Sequence, residues 1–79
     1  MTKLEEKLIE LGYEKPLNPS ISNVYFKKTI LYIFGVKIEN GKIIQNEVRF
    51  LVKWMPFDNL QKVSNEVQKD LEILKECEE

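Results

Sequence analysis

From Val24 to Trp54 the chain alternates between apolar and polar residues. The even positions are nearly all apolar: Val24, Phe26, Ile30, Tyr32, Phe34, Val36 and Ile38, then Ile44, Val48, Phe50, Val52 and Trp54. The odd positions mix Lys27, Leu31, Ile33, Lys37, Arg49, Leu51 and Lys53. A period of two marks strands that bury one face. The segment is therefore expected to form long paired strands with an apolar inner face and a mixed outer face.

Two hairpin registers compete. Asn40-Gly41 invites a two-residue type I′ turn, but that pairing sets Phe34 opposite Glu47 and Tyr32 opposite Arg49, which mixes the faces. A three-residue loop, Glu39-Asn40-Gly41, pairs Val36 with Ile44, Tyr32 with Val48 and Ile30 with Phe50. It keeps the apolar set together and places Gly41 at the left-handed position of a G1 bulge. The three-residue loop is the expectation. Val24 to Glu39 is too long for a single ordinary strand. Lys27-Lys28-Thr29 is expected to break it by a three-residue turn that pairs Phe26 with Ile30, or by a bend.

Period changes at both ends. Thr2-Lys3-Leu4-Glu5 matches a capping box, and Leu4, Leu8 and Leu11 recur at helical spacing. Gly12 stands at the left-handed C′ position, with Tyr13 at C″ set to close on Leu8. Glu14 to Asn23, with Pro16, Pro19, Asn18 and Ser20, reads as an ordered loop. Asp58 is the expected N-cap of a second helix, with Gln61 at the capping-box position. Its stripe is Leu60, Val63, Val67, Leu71 and Leu74, with Ile73 and Cys77 on one flank. Glu76-Cys77-Glu78-Glu79 has no glycine cap and the wrong charge for a helix C-terminus, so fraying is expected. The fold class is α+β: α-β-β-β-α, an antiparallel meander sheet with two helices packed on one face.

The 79 residues are expected to form a single domain, 1–79. No segment approaches the ~20 apolar residues of a membrane span. The opening residues are acidic where a signal peptide would be basic and then apolar. One cysteine, Cys77, cannot staple a fold, so a reducing, cytoplasmic setting is expected. Net charge is −1 but segregated: residues 1–14 carry −2, residues 15–53 carry +5 and residues 54–79 carry −4. Acidic helices therefore flank a basic sheet.

Catalytic chemistry has little to work with. The chain has no histidine, the commonest general base. Acidic neighbours deactivate Cys77 rather than activate it. No zinc set and no phosphate loop can be assembled, so neither enzyme activity nor a metal or cofactor is expected. On the outer face, the three-residue register sets Leu31 opposite Arg49, Ile33 opposite Glu47 and Lys37 opposite Ile43, with Leu51 and Lys53 adjacent. Four aliphatics among charges exceed what a solvated face needs, although single exposed aliphatics are common. Leu31, Ile33, Lys37, Arg49, Leu51 and Lys53 are the candidate protein-binding residues. The alternative is nucleic-acid binding with Lys27, Lys37, Arg49 and Lys53 on phosphates. That face offers no aromatic platform for bases beyond Tyr25. Homodimerisation through the sheet edge or face is a third reading.

Double-stranded-RNA-binding domains share this element order and grip phosphates with lysines at the start of the last helix. Met55-Pro56-Phe57-Asp58-Asn59 holds no base there. Leu4-Glu5-Glu6-Lys7-Leu8-Ile9-Glu10-Leu11-Gly12-Tyr13 and Leu71-Glu72-Ile73-Leu74-Lys75-Glu76-Cys77-Glu78-Glu79 resemble the ends of small uncharacterised phage and prophage proteins of low-GC Gram-positive bacteria. The element order is also similar to a small acidic anti-CRISPR that mimics DNA to block Cas9. This chain departs from that type in its net charge and in having no acids massed on a loop. The resemblance implies a phage accessory protein of the host cytoplasm. It would act as an inhibitor by stoichiometric binding, with a host defence complex as the target class.

Overall fold

In the computed structural model, which describes residues 2–17 and 23–78, the order is α1 (Lys3–Glu10), β1 (Val24–Lys28), β2 (Tyr32–Glu39), β3 (Lys42–Phe50) and α2 (Phe57–Lys75). The strands form one antiparallel meander in the order β1-β2-β3. Both helices pack on one face of it. Leu4 and Leu8 of α1, Val63, Val67 and Leu74 of α2, and Tyr32, Phe34, Val36 and Ile38 of β2 share one buried cluster. The fold is α+β as the pattern predicts.

Helix α1 is built as its sequence dictates. The Thr2 hydroxyl accepts from the Glu5 N–H at 3.2 Å. At the other end Gly12 takes φ +96°, its N–H donates to Ile9 and the Tyr13 N–H donates to Leu8. These two bonds form a Schellman motif. Helix α2 starts differently from expectation. Pro56, not Asp58, is the N-cap, and no side chain caps the helix. Asp58 falls in the first turn, where its charge meets the helix dipole. Proline serves there because the first-turn bonds need only its carbonyl, which accepts from Asn59 and Leu60. The α2 stripe is buried at Val63, Val67 and Leu74, while Leu60 is exposed. Residues 76–78 do not fray as expected: Cys77 packs against the core and the Glu78 carboxylate accepts from the Ile43 N–H at 3.3 Å, while Glu79 lies outside the described residues. Of the expected 14–23 loop, residues 18–22 lie outside the described residues.

Both turn expectations are corrected. Asn40 and Gly41 have φ +55° and +75°, and Glu39 pairs with Lys42, so the hairpin uses the two-residue turn. The face mixing this would cause is undone by a bulge. Ile38 pairs with Ile43, but Lys37 pairs with Gln45, leaving Ile44 as the extra residue. Beyond the bulge Phe34 meets Val48 and Tyr32 meets Phe50, one pair further along than the three-residue register placed them. Ile43, rather than Ile44, joins the core.

The β1–β2 turn changes more. Lys28 pairs with Ile33, so the turn is centred on Ile30-Leu31. Its stitch is Thr29, whose hydroxyl accepts from the Leu31 and Tyr32 N–H groups at 3.2 and 3.1 Å. A two-residue turn reverses parity. Tyr25 and Lys27 therefore face the helices, and Val24 and Phe26 face outward, opposite to the expected placement of the even residues.

Residues on the helix side use polar tips to tie the layers together. The Tyr13 hydroxyl donates to Asp70 at 2.9 Å, Tyr25 to Glu5 at 3.3 Å and Tyr32 to Glu66 at 3.2 Å. Lys27 reaches the same Asp70 oxygen at 3.1 Å. Each ring buries apolar area while its hydroxyl keeps a partner. No β3 residue is fully buried. Phe50 ends the strand, residues 51–53 bend, and Val52 and Trp54 stay exposed instead of joining the inner face.

Candidate functional site

The outer sheet face carries no helix. Its centre is a shallow groove of about 250 Å³ lined by Val24, Phe26, Ile33 and Gly35, with Lys37, Glu47 and Arg49 around it. Phe26, Gly35 and Glu47 lie in one cross-strand row, and Lys28, Ile33 and Arg49 in the next. Gly35 makes the hollow. A strand glycine supplies no side chain, and a Cβ there would sit 3.4 Å from a Val24 methyl. The groove thus has an apolar floor and a rim of two cations and one anion.

Three of the six expected site residues, Ile33, Lys37 and Arg49, line this groove. Their partners differ from expectation: Ile33 lies opposite Arg49, and Lys37 opposite Gln45, because the register is displaced. Leu31 and Leu51 meet at the end of the sheet, where the Leu51 N–H donates to the Leu31 carbonyl at 2.9 Å. Leu31 also packs against the core, whereas Leu51 is exposed. Lys53 sits in the bend beyond the strand and outside the groove. Lys27, expected among the phosphate contacts, points to the helices and is held by Asp70. Its Nζ lies 5.5 Å from the Tyr13 ring centre.

Val24, Phe26 and Gly35 are the lining residues that alternation alone hides. Gly35 was the available signal, since a glycine inside an apolar strand marks a close approach or a hollow. The other two depend on the reversed parity of β1.

No group of three or more Cys, Asp or Glu among the described residues could hold a metal ion. No helix among them is long and apolar enough to cross a membrane. No protein-family model, no curated protein and no solved structure matches the chain.

Proposed function

We propose that this chain is a small non-enzymatic binding protein that engages another protein stoichiometrically through its outer sheet face. The observation that carries the reading is the groove itself: apolar Val24, Phe26 and Ile33 around Gly35, on the side of the sheet that neither helix covers. An apolar centre with a charged rim is the ordinary anatomy of a protein contact. At about 250 Å³ the groove is smaller than the ~300–1,000 Å³ of small-molecule sites, which favours a protruding side chain of a partner. The resemblance of the terminal segments to phage accessory proteins makes a host defence complex the first target class to try, in the host cytoplasm.

The test is affinity capture from extract of the host, comparing the native chain with Ile33→Asp and Arg49→Glu. Both variants should lose the captured protein, while Lys69→Glu on exposed α2 should keep it. Equal capture by all of them would sink the reading. Nucleic-acid binding is the competing function, and it is weakened by the engagement of Lys27 with Asp70. Lys37, Arg49 and Lys53 remain for phosphates. A DNA and RNA titration at two salt concentrations separates the two functions, because phosphate binding falls steeply with salt.

A further inference from the structure

The two edges of the sheet are treated differently by the chain. The β1 edge is covered: Glu14 exchanges hydrogen bonds with Phe26 at 2.7 and 3.2 Å. On the β3 edge, the Glu78 carboxylate takes up the Ile43 N–H. Past the bulge no described strand pairs with that edge. The Leu51–Leu31 bond fixes the alternation of the β2–β3 ladder. By that alternation Arg49 and Glu47 point their backbone groups at β2, while Asn46, Val48 and Phe50 point theirs outward. An edge of this kind is a template for another strand, and β3 has neither a proline nor a lysine past the bulge to blunt it.

We propose that β3 pairs antiparallel with β3 of a second copy of this chain, about a twofold axis at Val48. The charges select both the occupant and the register. Pairing outward groups with outward groups allows axes at residues 46, 47, 48 and 49. An axis at 47 or 49 sets Glu47 against Glu47 or Arg49 against Arg49, which is destabilising. An axis at Asn46 leaves Glu47 facing Gln45. An axis at Val48 sets Glu47 opposite Arg49 twice, once on each side. That pair does not share backbone hydrogen bonds, so its side chains stand close. Both residues are exposed, and neither forms an ion pair with a described residue of its own chain. The same register pairs Asn46 with Phe50 of the second copy and continues the sheet through both copies. The interface is isologous, as a twofold dimer requires.

Pairing shares Glu47 and Arg49 with the rim of the outer-face groove, but it is measured on the purified chain alone, so its failure is distinguishable from loss of partner capture. Sedimentation equilibrium from low micromolar to millimolar protein should show a monomer–dimer equilibrium. Glu47→Arg and Arg49→Glu should each weaken it about tenfold or more, by turning two opposite-charge pairs into like-charge pairs. The combined variant with both changes should restore the native constant. Asn46→Pro removes an outward N–H at an exposed position, where edge strands tolerate proline, and should leave a monomer with the native circular dichroism spectrum. A chain that is monomeric at every concentration would overturn the proposal. So would a dimer that the double charge exchange fails to restore. If Asn46→Pro does not fold, the charge exchange decides alone.

Discussion

At the scale of single residues, the helix-to-sheet contact is a set of tyrosine–carboxylate bonds. Burial, and then the hydrogen bond donated to the Asp70 carboxylate, push the Tyr13 phenol far above its usual 10. Burial and then Glu66 push Tyr32 up to about 12. Burial and then Glu5 raise Tyr25. The folded state therefore holds these phenols protonated where the unfolded chain ionises them. Stability that is complete below pH 10 should fall as pH rises from about 10 towards 12, because the unfolded chain releases these phenolic protons first. Absorbance of tyrosinate should rise together with unfolding. A smooth titration near pH 10 in the folded protein would contradict this. Asp70 accepts from both Tyr13 and Lys27, and its side chain is only 15% exposed. Asp70→Ala should cost about 2–3 kcal/mol, read as a lowered denaturant midpoint with unchanged slope.

At the scale of elements, the turns decide which side chains face where. Thr29 replaces the glycine or asparagine that a tight turn usually needs, by accepting two backbone bonds at its hydroxyl. Thr29→Ala should destabilise by about 1–2 kcal/mol and Thr29→Ser by much less. Equal losses in urea unfolding would show that the hydroxyl is not the stitch. Helix α1 with its Gly12 cap, the Val63–Val67–Leu74 stripe and the inner residues of β2 are all legible in the sequence, because local spacing determines them. The orientation of β1 is not. Lys27-Lys28-Thr29 carries no turn residue, and the parity of β1 depends on whether two or three residues turn. The hairpin shows the same limit. Asn40-Gly41 points to the correct turn, but only a bulge at Ile44 reconciles it with the apolar pattern, and a bulge has no sequence mark. Ile33, Lys37 and Arg49 are legible as outer-face residues because β2 and β3 keep their parity relative to each other. Phe26 and Val24 are not.

At the scale of the whole molecule, one sheet and one layer of helices make a body of 38 × 26 × 19 Å. Two layers leave the outer sheet face without a helix among the described residues, and β3 contributes no fully buried residue. Further apolar residues stand exposed in the β1–β2 turn and from the end of β3 to the start of α2. Ile30 is 90% exposed, Trp54 79% and Phe57 75%. Trp54 is the only tryptophan. Its fluorescence should be red-shifted and fully open to acrylamide in the folded protein, and protection would place a cover over this end. Binding through the outer face requires Phe26 to lie on that face and outside the core. Phe26→Lys tests this most directly, with thermal stability and partner capture read on the same sample. The variant should remain folded, losing no more than about 1–2 kcal/mol, and should lose its partner. A variant that unfolds would place Phe26 in the core, and a folded variant that still captures the same partner would contradict binding through this face.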